Sequence, residues 1–259
     1  MAKPLFLLSI LLILGLYFVY LGLTRYLFLR KIEDTPTSKA GSAPVGLVEL
    51  SGTAKPYEPK KSPVNDALCV FWRITGEYFK EGKNGGWRNI YSADSKTPFY
   101  VADETGRLLV MPEGAEIEIP SHSSHKGYIM DTKGWFEFES HQANMDECAL
   151  KFILSLDNDS RQKFLAHKQE EIRVNEYIIR EHDPLYVLGT ATPVEDPSGP
   201  GGRDALAVRK GTTDKTLFIS NTGEGYVIDE FSSSLYLMIF GGLAEAVVCL
   251  GLILVLLGV

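Results

Sequence analysis

Histidines concentrated in one short stretch are the first residues whose types could do chemistry. His122 and His125 lie three positions apart, and His141 follows within the same polar segment. Imidazole nitrogens are zinc ligands, so the three histidines are candidate metal ligands. The surrounding serine and glycine residues, however, are typical of a loop, and H-x-x-H on a helix would splay the two rings. We therefore expect a solvated polar loop that binds no metal.

Cysteine and serine residues are the other candidates for covalent chemistry. Cys69, Cys148 and Cys249 lie in no family-specific catalytic context, and the chain has no G-x-S-x-G. Residues 199–202, GPGG, lack the lysine, the hydroxyl residue and the following helix of a phosphate-binding loop. We expect no catalytic residue and no cofactor. Whether Cys69 and Cys148 form a disulfide stays open, because it depends on the compartment.

A single acidic residue, Glu245, interrupts the apolar run at the end of the chain. A carboxylate at membrane depth costs about 2.5–3.5 kcal/mol on insertion scales, so it should be neutral or hydrogen-bonded there. Gly242 and Ala246 form a small-xxx-small pair that lets helices approach closely. This pattern favours a role for Glu245 in helix packing over a role as a proton site.

Two long apolar segments are expected to anchor the rest of the chain at a membrane. Residues 4–24 and 235–259 are each long enough to cross a bilayer as a helix. The first has no small-residue cleavage site, which favours an anchor over a signal peptide. Residues 25–44 then predict a linker. Two spans predict a two-pass integral membrane protein with both termini on one side and the intervening domain on the other.

The charge of the chain limits the classes of partner that the domain between the spans is expected to bind. Lys+Arg is 26 and Asp+Glu is 33, for a net charge of -7, which argues against a nucleic-acid-binding protein. The basic residues Arg25, Arg30 and Lys31 after the first span slightly favour a cytoplasmic domain. Large domains cross membranes regardless of such flanks, so sidedness stays open. The expected partners are the lipid bilayer and either another protein or a second copy through the membrane helices.

The segment between the spans is predicted to be rich in short strands. Residues 68–75 alternate apolar side chains and read as a central strand, with a hairpin connection at residues 81–86. Residues 103–106, DETG, predict a tight turn between two strands. Residues 146–156 and 160–171 have helical character. The fold class is therefore mainly β, a small barrel or sandwich with one or two helices, between two transmembrane helices.

An ordered set of short motifs resembles the GIDE or BAM (beside-a-membrane) domain family, found between the two membrane spans of a mitochondrial E3 ubiquitin ligase. The pieces are LSGTA at 50–54, FYVAD at 99–103, NEYII at 175–179, LYVLG at 185–189 and LFIS at 217–220. The resemblance implies a GIDE-like β-rich domain over residues 45–231. It singles out the family positions Gly52, Cys69, Asp103, Gly106, Glu176, Gly189 and Ser220.

This sequence differs from the family's ligase because it lacks the pattern of a zinc-binding RING domain. A RING needs clustered cysteine and histidine ligands, whereas the three Cys and five His here are scattered and contain no C-x-x-C. We therefore expect no ligase activity in the chain itself. The leading hypothesis is a non-catalytic membrane-anchored module that binds or scaffolds a protein partner. The alternative is a substrate-recruiting subunit of a ubiquitin-ligase-like or hydrolytic system whose catalytic chain is separate.

Overall fold

A computed structural model describes residues 2–129, 145–194, 206–222 and 224–257. The chain forms two compact units, each with its own packing. One contains Met1–Thr37 and Thr222–Val259, and the other contains Ser38–Asn221. The first unit is a pair of long helices and the second holds almost all of the strands.

The helices are α1 (Ala2–Asp34), α2 (Glu147–Ser155), α3 (Asn158–Leu165) and α4 (Glu224–Leu257), with a short 3-10 helix at Ala40–Ser42. The first strands are β1 (Thr37–Ser38), β2 (Gly46–Pro56), β3 (Lys60–Lys61), β4 (Leu68–Cys69), β5 (Phe71–Lys80), β6 (Gly86–Asp94) and β7 (Phe99–Asp103). The remaining strands are β8 (Gly106–Val110), β9 (Glu116–Glu118), β10 (Ser123–Gly127), β11 (Ile172–Ile179), β12 (Pro184–Pro193), β13 (Leu206–Arg209) and β14 (Phe218–Ser220).

Five strands close into a barrel, which confirms the predicted mainly β fold class. The order around the barrel is β2, β7, β8, β13 and β12, and β12 pairs with β2 to close it. Only the β8–β13 pair among these is parallel. This is the Greek-key strand order of OB-type barrels. Alternate residues point inward, as Val48, Leu50 and Ala54 do on β2, and they build the barrel core.

A four-stranded antiparallel sheet makes a second core in the same unit. Its order is β10, β11, β5 and β6, so β5 is central, as the apolar alternation predicted. Ile74, Ile172 and Val174 on this sheet pack with Phe152 of α2 and Phe164 of α3. The two helices are therefore held by one apolar face of the sheet.

The described residues correct the sequence-based expectations in several places. Residues 25–34 belong to α1 and not to a linker, because Arg30 bonds Tyr26 and lies 3.6 Å from Glu33 across one helical turn. The segment predicted as a polar loop contains β10, whose backbone pairs with β11. Leu68, predicted to share a buried strand face, is 67% exposed.

The helix pair is long and apolar enough to cross a membrane. The candidate spans are Pro4–Asp34 and Leu235–Leu257, each with mean hydropathy 2.5. The second helix begins at Glu224, ahead of the predicted start at 235. The helices meet at glycines: a methyl group at Gly242 would lie 2.6 Å from the carbonyl oxygen of Gly15. The predicted small pair therefore lies at the contact, where Ala246 is also buried.

Candidate functional site

A buried glutamate is the centre of an extended polar cluster in the strand unit. Glu176 on β11 has no exposed surface. Its Oε1 accepts a hydrogen bond from the backbone N–H of Val64 at 3.0 Å, and its Oε2 accepts one from Nδ2 of Asn65 at 2.7 Å. Buried carboxylates are tolerated only with such donors, so Glu176 fixes the connection between β3 and β4 onto the four-stranded sheet.

The cluster continues from Asn65 to the surface. Asn65 Nδ2 also donates to Ser123 Oγ at 2.7 Å, and Ser123 Oγ lies 3.2 Å from His125 Nε2. His125 Nδ1 lies 2.9 Å from Asp146 Oδ2. Ser123 and His125 are two residues apart on β10 and so share one face of the strand. We call Glu176, Asn65, Ser123, His125 and Asp146 the polar chain.

Asp146 at the end of the polar chain caps helix α2. Its Oδ1 accepts the backbone N–H of Cys148 at 3.3 Å, which is an N-cap hydrogen bond. This bond and the one from His125 lower the pKa of Asp146. An ionised Asp146 accepts from the Nδ1–H of His125, whose Nε2 lies 3.2 Å from Ser123 Oγ and 3.3 Å from Asn65 Nδ2. The polar chain thus fastens the start of α2 to β10.

The links of Ser123, His125 and Asp146 are those that activate a serine nucleophile in hydrolases. Here the serine oxygen also takes a hydrogen bond from Asn65, and the His125 side chain is only 11% exposed. The hydroxyl is therefore engaged from two sides inside a network that joins four chain segments. These hydrogen bonds hold the β3–β4 connection, β10, β11 and the start of α2 together.

Two of the three histidines predicted as candidate metal ligands contact protein side chains in the structure. His125 belongs to the polar chain, and His122 lies with its Nδ1 3.1 Å from the guanidinium of Arg180. His141 falls outside the described residues. In the ranges that the structure describes, no three His, Cys, Asp or Glu side chains converge on a point where a metal ion could bind.

The predicted turn at residues 103–106 is confirmed as the connection between β7 and β8, with Asp103 opposite Gly106. One oxygen of Asp103 accepts hydrogen bonds from the Thr105 hydroxyl, the Thr105 N–H and the Gly106 N–H at 2.6, 2.8 and 3.1 Å. The other oxygen accepts the N–H of Ala40 at 2.8 Å. Partial burial alone would raise the pKa of Asp103, but these four hydrogen bonds outweigh it and lower the pKa to about 2.

This lowered pKa predicts an acid-labile contribution of Asp103 to stability. The contribution should be complete above about pH 4, the pKa range of an unfolded aspartate, and should be lost as the pH falls through 2. Asp103→Asn should destabilise the strand unit by about 1–3 kcal/mol at pH 7. Urea unfolding of both proteins from pH 7 to pH 2 should show that difference shrinking towards the acid end. A constant difference across this range would contradict the role of the carboxylate.

The other family positions lie in the barrel and its surroundings. Gly52 leaves no space for a side chain, since a methyl group there would be 2.4 Å from the Ala102 carbonyl oxygen. A methyl group at Gly189 would be 2.6 Å from a Val208 methyl. Ser220 is fully buried on β14, opposite Tyr186 of β12. These three positions therefore maintain close strand packing.

Cys69 is a buried free thiol on β4, and Cys148 and Cys249 are also free. Burial, followed by the nearby charge of Glu176, raises the pKa of Cys69 to about 11, although Lys60 opposes the shift. The thiol is therefore protonated at neutral pH and is a weak nucleophile. The structure shows no bond between Cys69 and Cys148.

A polar cleft of about 790 Å³ opens beside α3, with Tyr128, His167 and Glu170 in its wall. The His167 ring stacks on Tyr78 with centroids 3.7 Å apart, and its Nδ1 lies 2.5 Å from Glu170 Oε2. These contacts fix the imidazole in one orientation. The cleft is separate from the polar chain, and its lining suits a polar ligand better than an apolar one.

Two of the five members of the polar chain, His125 and Glu176, could be singled out from the sequence, but in unrelated roles. Asn65, Ser123 and Asp146 were missed. The sequence carries no periodic signal for β10, because residues 123–127, SSHKG, contain no apolar side chain to alternate with the polar ones.

A match to known proteins comes at the level of the family. No curated protein and no solved structure matches the chain. A family model described as GIDE, E3 ubiquitin ligase, matches residues 75–255, which is well over half of the 259 residues. The matched range contains the turn at Asp103, most of α4 and four members of the polar chain. The fifth member, Asn65, precedes it. The chain therefore belongs to the GIDE family.

Proposed function

We propose that this chain is a non-catalytic membrane-anchored module that crosses the bilayer twice and binds a protein partner through residues 38–221. The observation that carries the proposal is the GIDE-family match, which spans most of the strand unit together with the second apolar helix. A folded unit held between two such helices remains beside the membrane. Such an anchored domain is suited to capturing or organising another protein there.

The chemistry of the strand unit supports binding over catalysis. The polar chain joins structural segments and holds its serine hydroxyl between Asn65 and His125. The Cys69 thiol is buried with its pKa raised to about 11. The Cys69 thiol is therefore a weak nucleophile at neutral pH, and the Ser123 oxygen is engaged by the Asn65 amide.

Charge and flanking residues add detail to the proposal. The acidic net charge of -7 disfavours nucleic acid as the partner. Arg25, Arg30 and Lys31 at the end of α1 favour the strand unit on the cytoplasmic side. The lipid bilayer is the second partner, contacted by the apolar faces of α1 and α4.

A second candidate function is the recruitment of substrates to a separate ubiquitin ligase. The observation that favours it is the description of the matching family model as an E3 ubiquitin ligase. In this version the partner bound by residues 38–221 is either the substrate or the catalytic chain. The two candidates share the anchored binding module and differ in what the assembled complex does.

Cross-linking in native membranes, followed by capture in mild detergent and mass spectrometry, tests the proposal. The control keeps both helices and replaces residues 38–221 with an unrelated soluble domain. We expect a defined set of proteins that the control fails to capture. Identical sets from both versions would contradict a binding role for the strand unit.

Ubiquitin transfer separates the two candidates. The purified chain and the captured complex are each incubated with ubiquitin, E1, E2 and ATP. If the chain is a scaffold alone, neither preparation transfers ubiquitin. If it recruits substrates to a ligase, the captured complex transfers ubiquitin and the purified chain does not. Transfer by the purified chain would contradict the non-catalytic proposal.

A further inference from the structure

Glu245 lies near the middle of the second candidate span. That span is Leu235–Leu257, so ten residues precede Glu245 and twelve follow it. At a helical rise of about 1.5 Å per residue, the carboxyl group is about 15–18 Å from either end, close to the centre of a bilayer core about 30 Å thick. A polar side chain at this depth needs a hydrogen-bonding partner.

The helix pair does not provide that partner within the part of the chain described. Glu245 is partly buried at the edge of the contact with α1, and neither a hydrogen bond nor an ion pair joins it to another described residue. Ser9 of α1 donates its hydroxyl to the Leu5 carbonyl oxygen instead. Tyr17 and Tyr20 are 54% and 62% exposed on α1. The carboxyl group is thus left to find a partner outside the pair.

The surface next to Glu245 allows another helix to come close. Gly241, one turn before Glu245, is exposed, and a methyl group there would meet nothing within 4 Å. Ala244 is exposed as well. These small residues differ from Gly242 and Ala246, which are buried against α1. Small side chains let helix backbones approach within the membrane and bring polar groups into contact.

We propose that α4 pairs with α4 of a second copy of this chain, with the two Glu245 carboxyl groups hydrogen-bonded to each other at the bilayer centre. A neutral carboxyl group carries one donor and one acceptor, so two of them are mutually complementary. A second copy inserted in the same direction brings its Glu245 to the same depth by symmetry. The proposal rests on the membrane anchoring proposed above and specifies one self-association surface for it.

The test uses the full chain reconstituted in lipid vesicles at decreasing protein-to-lipid ratios. Energy transfer between copies labelled at the exposed Cys148 reports pairing. Glu245→Leu should raise the apparent dissociation constant at least tenfold, whereas Glu245→Gln should keep pairing because an amide also donates and accepts. Gly241→Leu should weaken pairing by blocking close approach. Leu250→Phe is the control, because Leu250 is also exposed and lies nine residues from Gly241, which places it on the opposite side of α4.

Two results would overturn the proposal: a wild-type chain that is monomeric at all ratios, or a Glu245→Leu variant that pairs as strongly as wild type. Extraction of the vesicles at alkaline pH distinguishes this failure from failure of the membrane anchor. A chain that stays in the vesicles but does not pair contradicts only the Glu245 contact. A chain that is released by alkali contradicts the anchoring itself.

Discussion

Replacing Glu176 with alanine is expected to produce the largest loss of stability in the strand unit. The substitution removes both acceptors from a fully buried site and leaves the Val64 N–H and one Asn65 N–H without a partner. Each unsatisfied buried donor costs about 1–3 kcal/mol, so the expected loss in the free energy of unfolding is about 2–6 kcal/mol. Urea unfolding monitored by tryptophan fluorescence should show a lower midpoint with an unchanged slope.

Two further variants make this prediction specific. Glu176→Gln keeps one acceptor but turns an N–H towards one of the two donors, so it should lose less than alanine while remaining folded. Glu181→Ala removes a glutamate whose side chain is 53% exposed, and it should change the free energy of unfolding by less than about 0.5 kcal/mol. If Glu176→Ala were as mild as Glu181→Ala, the polar chain would not hold the strand unit together.

The second large effect is expected at the contact between the two long helices. Gly242→Val introduces a branched side chain where even a methyl group would lie 2.6 Å from the Gly15 carbonyl oxygen and 3.1 Å from the Val19 nitrogen. Both are backbone atoms, so the helices must separate. Overpacking of this kind typically costs about 1–3 kcal/mol.

Cys249 provides a direct readout of that separation, because it is buried on α4 one heptad beyond Gly242. In a Cys148→Ser background in mild detergent, N-ethylmaleimide should modify Cys249 slowly in the parent chain and several-fold faster in Gly242→Val. Gly251→Val is the control, since a methyl group at Gly251 meets nothing within 4 Å. Equal Cys249 reactivity in the parent and Gly242→Val would contradict the glycine contact.

The local features that the sequence predicted well are those determined by short-range patterns. The turn at residues 103–106 follows from an aspartate that bonds the next backbone groups and a glycine at the β8 start. The apolar helices follow from continuous hydropathy, and their close contact follows from the Gly242 and Ala246 spacing. In each case a few neighbouring residues carry the whole signal.

The barrel closure and the polar chain depend on partners far apart in sequence. Barrel closure pairs Val187 of β12 with Leu50 of β2, a contact that periodicity cannot specify. The polar chain joins Asn65 to Glu176 across 111 positions. Glu176 and His125 could each be singled out from the sequence, but the polar composition of β10 hid the strand pairing that brings them together.

The proposed function requires a chain anchored by two spans, with the strand unit on one side of the membrane and both termini on the other. The native cysteines allow a direct measurement, because Cys148 is exposed whereas Cys69 and Cys249 are buried. A second exposed cysteine is added before residue 1 in one version and after residue 259 in another. Sealed vesicles of defined orientation are treated with an impermeant maleimide from outside, then again after permeabilisation.

We predict that both added terminal cysteines react from one side and that Cys148 reacts only from the other. In vesicles of the opposite orientation, the terminal cysteines and Cys148 should exchange sides and should still react from opposite sides of the membrane. Terminal cysteines that react from opposite sides, or that share a side with Cys148, would contradict the two-span anchor on which the proposed function depends.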